Sequence, residues 1–257
     1  MDFEFSNVAV PFRMQPGLRK LVPGTPQLTR LDPASRLYAE KLAVVQAGQS
    51  RLADAGFDPA EALAAIGQRE PFQGPVELAF EEDFAVLDGA TGKLLWLCVC
   101  VPSHWAPEEK IGLPLAAVHA TVADNALLLA ASQQLVQLVT GNDAYERFVW
   151  TVTPSGRYDQ HPKRHAREPW PAHLDDEAFA ARCWLRAERQ SFIPFGNRQA
   201  VFTIRVMLQP LAQAVDTSEK AQRLQDSLAS MSGAVLAYKN LATAREPLLR
   251  WLGRKAA

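Results

Sequence analysis

Residues 183–192 read CWLRAERQSF, residues 193–198 IPFGNR and residues 199–209 QAVFTIRVMLQ. Two strand-like runs separated by a short segment with Pro194 and Gly196-Asn197 predict an antiparallel hairpin. Side chains alternate along a strand, so Trp184, Arg186, Glu188, Gln190 and Phe192 share one face, and Leu185, Ala187, Arg189 and Ser191 the other. The second strand sets Ala200, Phe202, Ile204, Val206 and Leu208 against Val201, Thr203, Arg205 and Met207. One pairing leaves Arg189 and Arg205 on the same side among small and apolar neighbours. Guanidiniums in such a place need an anion. A carboxylate clamp that holds the sheet is one reading, and a bound anionic group is the other.

Upstream, Val76–Phe80 and Phe84–Leu87 read as short strands, followed by turn chemistry at Asp88-Gly89 and Thr91-Gly92-Lys93. Leu94–Val101 is apolar on both faces, as a central strand should be, and Pro102 ends it. From Pro107 to about Thr140 the signal is helical, with Leu128, Ala131, Leu135 and Leu138 in spacing and a stop at Gly141-Asn142. Glu146–Thr153 is a further strand. The order strand, strand, helices, strand, strand, strand is that of a PAS-type domain. The expected class is α+β: an antiparallel sheet of about five strands backing a pocket that helices close on one face.

The flanks differ in character. Residues 1–31 are rich in Pro and Gly and read as an extended arm. Residues 32–75 hold N-terminal helices, one beginning at Asp32 with Pro33 in its first position and one opened by Asp58-Pro59. Residues 76–210 form the PAS-like core. Residues 211–257 are helical, with Asp216 and Glu219 as a capping pair and a last helix over Glu246–Gly253. The whole is expected to be one compact domain.

Composition removes several function classes. The 257 residues are 48% hydrophobic and 21% charged, with 27 Lys and Arg against 28 Asp and Glu. A protein that lives on phosphate contacts carries a basic excess, so no nucleic-acid partner is expected. No apolar run spans a membrane and the N-terminus lacks a signal peptide, so the expected location is the cytoplasm. Cys98, Cys100 and Cys183 suit neither a disulfide framework nor a zinc or iron–sulfur site. There is no dinucleotide fingerprint, P-loop, HExxH or GxSxG.

Two groups of histidines remain. His161, His165 and His173 lie in a charged, Pro-containing segment that reads as a solvated loop, with a metal site as the alternative. His119 lies in LPLAAVHATV, among small and apolar neighbours. It is either a core histidine satisfied by a backbone carbonyl or an axial ligand to haem iron, which an apolar-pocketed neutral imidazole suits. His104 is its nearest competitor.

Several segments together resemble the haem-dependent oxidative N-demethylase family. They are PFRM from Pro11, EDFAVL from Glu82, VPSHWAPEEKIGLPLAAVH from Val101 to His119, LRAERQ from Leu185 and VFTIR from Val201 to Arg205. The resemblance implies a PAS-like fold around haem b with His119 on the iron. It implies oxygen insertion into an N-methyl group of a small secondary amine, followed by collapse of the carbinolamine to the shorter amine and formaldehyde. It further implies O2 as co-substrate, and NADPH, flavin (FMN) and iron–sulfur centres on a separate reductase or ferredoxin-type partner. Propionates of such a haem would need cations, for which Arg189, Arg205 and Lys110 are the expected residues. Glu188 is the expected catalytic carboxylate, facing a cationic amine. Alternation along one strand denotes a conflict, since Glu188 and Arg189 cannot both face the haem without a bulge. The family typically carries an Asn-Trp pair after R-x, and here Arg147-Phe148-Val149-Trp150 puts Val149 in place of the Asn. That change allows a second reading, a haem-binding sensor or carrier without turnover.

Overall fold

The computed structural model describes residues 3–120 and 122–257, apart from the side chains of residues 127 and 128. The expected hairpin is its spine. β6 (Trp184–Phe195) pairs antiparallel with β7 (Gln199–Pro210) along their full lengths. The return is made at Gly196-Asn197-Arg198, where Gly196 and Arg198 have φ of 52° and 59°, the left-handed backbone that tight hairpins require.

Around this hairpin, β5 (Tyr145–Thr153) pairs with β6, β3 (Glu82–Asp88) with β7, and β4 (Leu94–Cys98) with β3, all antiparallel. Two short edges, β1 (Arg19–Lys20) on β5 and β2 (Arg51–Ala53) on β4, complete the order β1-β5-β6-β7-β3-β4-β2. These edges carry Arg19, Lys20 and Arg51. Short charged edges discourage pairing with another chain, and their charge hides them from a search for apolar alternation.

The helices are α1 (Arg36–Gln46), α2 (Ala60–Arg69), α3 (Val76–Ala79), α4 (Leu115–Val118), α5 (Ala126–Ala130), α6 (Ser132–Val139), α7 (Asp176–Ala180), α8 (Leu211–Ala214), α9 (Ser218–Ala229), α10 (Gly233–Tyr238) and α11 (Arg245–Ala256). Three expectations change. Val76–Phe80 is not a strand: α3 forms there because buried Glu77 reaches back to Ser50 Oγ (2.8 Å) and to Arg51 (2.6 and 2.7 Å) on β2. The helical zone 107–140 is broken into a 3-10 turn at Pro107–Glu109, α4, α5 and α6, with Gly112 (φ 73°) and Pro114 standing between the first two. Leu128, one of the residues whose spacing suggested that helix, has its side chain outside the described set. Finally, Ser35 caps α1 through Tyr38 N and Thr217 caps α9 through Lys220 N, displacing Asp32 and Asp216 from those roles.

Both faces of the sheet are covered. On one, Ala85, Leu87, Leu97, Phe192 and Ala200 pack against Val136 and Val139 of α6 and Leu115 and Val118 of α4, while Ile204 and Val206 meet Leu37 and Val44 of α1. We call this the α4 face. On the other, Phe84, Val86 and Trp96 meet α2 and α3, and Trp150, Leu185, Ala187 and Met207 meet the C-terminal helices. Lys41 of α1 is wholly buried, its Nζ 3.1 Å from Asp83 Oδ1 and donating to the carbonyls of Phe80 (3.0 Å) and Glu82 (2.7 Å). Asp83 also accepts from Val101 N at 2.8 Å, which turns the chain away from the sheet after β4. Among the described residues no helix is long and apolar enough to cross a membrane.

Candidate functional site

The cross-strand register decides which side chains share the α4 face. Arg147 pairs with Gln190, Val149 with Glu188 and Thr151 with Arg186, while Glu188 also pairs with Val206. Directly paired residues point to the same face. Arg147, Val149, Arg186, Glu188 and Gln190 therefore project toward the side that α4 covers.

Glu188 is held by its neighbours. Ser103 Oγ donates to its Oε1, and Gln190 Nε2 donates to its Oε2 at 2.7 Å. Ser103 in turn accepts from Arg186 Nε at 2.8 Å. Arg186 is buried and also donates from Nη1 to the carbonyl of Arg157 (3.1 Å) and from Nη2 to that of Val101 (3.0 Å). Burial pushes its guanidinium down to about 10 despite the neighbouring carboxylates. Two sequence segments far apart, PSHW from Pro102 and ERQ from Glu188, thus meet through one hydroxyl.

His119 ends α4. Its Nδ1 lies 2.8 Å from the Leu115 carbonyl, one helical turn back, and Asn125 Nδ2 ties off the His119 carbonyl at 3.0 Å. A carbonyl only accepts, so Nδ1 carries the proton and Nε2 keeps its lone pair, with no described residue bonded to it. Burial holds the imidazole below its ordinary pKa; the Leu115 carbonyl opposes this, and the charges of Arg147 and Lys110 reinforce it. Arg147, which pairs with Gln190 one row from Glu188, feels the charges of Glu188 and Tyr238 as well. At the open edge of β5, Lys239 Nζ donates to the Trp150 carbonyl at 2.8 Å, and burial pushes this amine down to about 8.

Arg189 and Arg205 do not join this group. They are direct cross-strand partners on the opposite face, where Arg189 Nε meets Glu146 at 2.7 Å and Arg205 Nε meets Glu81 at 2.6 Å. Glu146 is shared with Arg19 at 2.8 Å. The carboxylate clamp is therefore the observed state of both arginines, and it is Glu188, not Arg189, that shares the α4 face with Arg147. Lys110 lies within charge range of His119.

The second histidine group is not a solvated loop at its centre. His161 is buried, accepting from Lys163 N at Nδ1 (3.1 Å) and donating from Nε2 to Glu108 (3.0 Å). His165 meets Asp159, which also holds Arg164 at 2.8 Å. Among the described residues no group of three or more His, Cys, Asp and Glu could hold a metal ion. His104 has φ 59° and lines a narrow cleft with Thr151, Arg167, Trp170 and Lys239, where burial lowers it to about 4.

Sequence reading passed over Arg147, quoting it only as the start of the R-x pair. Alternation along β5 puts Arg147 and Val149 on one face, but the pairing with β6 that brings them to Glu188 is a long-range fact.

The donor set suits a haem. Metal-bound histidines commonly donate the second ring nitrogen to a carbonyl, as His119 does, and its free Nε2 is a neutral donor of the kind haem iron takes. No curated protein matches this chain. The family model described as haem-dependent oxidative N-demethylase, alpha subunit-like, matches residues 55–249. That span covers about three quarters of the 257 residues and includes Arg147, Glu188 and His119, so the chain belongs to the haem-dependent oxidative N-demethylase alpha subunit-like family.

Proposed function

We propose that this chain is the haem-carrying subunit of an oxidative N-demethylase acting on a small secondary amine, with O2 as co-substrate and electrons from a separate reductase. The observation that carries this is His119, whose Nδ1 is occupied by Leu115 while no described residue bonds its Nε2, on the helix that covers the sheet face presenting an anchored carboxylate. Haem, when bound, would supply oxygen activation and oxidation of the N-methyl carbon.

The chain's own residues then have distinct tasks. Leu115 holds the His119 tautomer, so that Nε2 offers a lone pair at neutral pH. Glu188, fixed by Ser103 and Gln190, accepts a hydrogen bond from the amine N–H and orients the methyl group. A charge-assisted bond of this kind is stronger than a neutral one. Arg186 keeps Ser103 in position. Trp105, packed against the α4-face core, helps exclude water. Lys110 is our candidate for one haem propionate, while Arg189 and Arg205 serve the sheet.

A second reading, haem binding without turnover, draws on Val149. It stands across from Glu188 and offers the substrate no polar contact. One set of measurements separates these. Purified protein should show a Soret band that H119A abolishes or weakens. With a competent reductase and dimethylamine the wild type should release formaldehyde, and E188Q should release at least tenfold less. A Soret band unchanged in H119A sinks the ligand assignment. Haem without formaldehyde, over a range of secondary methylamines, leaves the carrier reading in place of the enzyme.

A further inference from the structure

Arg147 is attracted by Glu188 but makes no hydrogen bond to a described side chain. Its Nε is out of solvent with no hydrogen-bond partner, and no described residue accepts a hydrogen bond from its guanidinium. Among the described residues no carboxylate is hydrogen-bonded to it. Glu188 accepts one hydrogen bond on each oxygen, from Ser103 and Gln190, and keeps further lone pairs for a ligand. Asp83 belongs to Lys41, and Glu146 and Glu81 lie on the other face with Arg189 and Arg205. Its neighbours along β5 on the same face are Tyr145 and Val149, and His119 and Lys239, whose charges it feels, add no negative charge.

Arg147 is half-buried, with its Nε out of solvent and unpartnered; an unmade buried hydrogen bond is costly, so removing it should not weaken the fold. Its planar fork matches a carboxylate with two parallel hydrogen bonds. We infer that Arg147 is a carboxylate-binding residue on the α4 face of the sheet, completing its hydrogen bonds only when a ligand carboxylate enters beside Glu188. Two sources share that chemistry. One is a propionate of the haem. The other is the substrate's own carboxylate, in which case the substrate class is an N-methylated amino acid, its ammonium on Glu188 and its carboxylate on Arg147. The site itself stands on the unpartnered guanidinium; only the choice of source rests on the haem reading.

The test begins with haem-free protein and acetate as the probe. Acetate should raise the melting temperature of the wild type above that in equal chloride, and R147M should lose this response. R147M without ligand should melt at or above the wild-type temperature, which shows that it folds. Haem is then titrated. If R147M binds haem at least tenfold more weakly than wild type, and binds haem dimethyl ester as the wild type does, the propionate is the source. If haem affinity is unchanged but N-methylglycine shifts the Soret band of the wild type and not of R147M, the substrate carboxylate is the source. Both results support the site. No acetate response, together with equal haem and N-methylglycine binding in R147M, overturns it. An acetate response in a protein that never gives a Soret band supports the site and sinks the haem reading instead.

Discussion

Val149 and Glu188 stand directly opposite one another in the β5–β6 ladder, on the face of the sheet that α4 covers. Val149, which stands where the resemblance to the family implies an Asn, is therefore the cross-strand neighbour of the candidate catalytic carboxylate. If Glu188 binds the amine as proposed, an amide there would sit beside it, whereas a valine offers it no polar contact.

Val149→Asn is the substitution that this relationship singles out. Sites that read a polar group by hydrogen bonding discriminate by large factors, so formaldehyde release from dimethylamine should rise by at least about tenfold in V149N. Haem content should stay at the wild-type level. The amide costs about 1–2 kcal/mol in urea unfolding where it lacks a partner. An unchanged rate in fully haem-loaded V149N would remove Val149 from any account of substrate choice.

The strands that carry long apolar or alternating runs, β3 through β7, could be read from the residues because each pairs on both sides or buries a face. The edges β1 and β2 could not, since Arg19-Lys20 and Arg51-Leu-Ala53 become strands only through their partners on β5 and β4. Val76-Glu-Leu-Ala-Phe80 alternates like a strand, yet the Glu77–Arg51 ion pair makes it a helical turn. At the site, alternation alone showed that Glu188 and Arg189 exclude each other, but not which faces the pocket. Ser103, from another segment, decides it, and no local pattern contains that contact.

Ser103 joins two charges, accepting from Arg186 and donating to Glu188. Ser103→Ala leaves a buried guanidinium nitrogen and a carboxylate oxygen without that partner, at an expected cost of about 1–3 kcal/mol. In S103A/E188A the loss should fall well short of the sum of the single variants, because both remove the same bond. Additive losses in urea denaturation would show that the hydroxyl serves only Arg186.

Lys41 and Asp83 lock α1 to β3 in the interior. Burial opposes the charge on Lys41, but Asp83 outweighs it and the ammonium is held above its ordinary pKa. Lys41→Met strands Asp83 and two backbone carbonyls, and should cost about 3–5 kcal/mol. K41M/D83N should recover part of that loss. A K41M protein as stable as wild type in urea would mean that water replaces the ammonium there.

His104 gives the fold a pH dependence of its own. Burial, reinforced by Arg167 and Arg186, brings the imidazole down to about 4 in the folded chain. In the unfolded chain it titrates near its ordinary value of about 6.5. As pH falls from about 6.5 toward 4, the unfolded state takes up a proton that the folded state refuses, so stability declines across that window. Below about 4 both states hold the proton and the decline from this group stops. Asn tolerates the left-handed backbone at this position and does not titrate, so His104→Asn should flatten that part of the curve. The stability gap between wild type and H104N should change by about 1–2 kcal/mol from pH 7 to pH 4.5, a figure that allows for solvent reaching the ring. The decline that Glu108 contributes falls lower, because backbone, His161 and Lys163 hydrogen bonds outweigh its burial and bring it to about 2. Urea midpoints for both proteins at pH 7, 5.5 and 4.5 provide the check, and parallel curves would show that the His104 ring is protonated in the folded chain as readily as in the unfolded one.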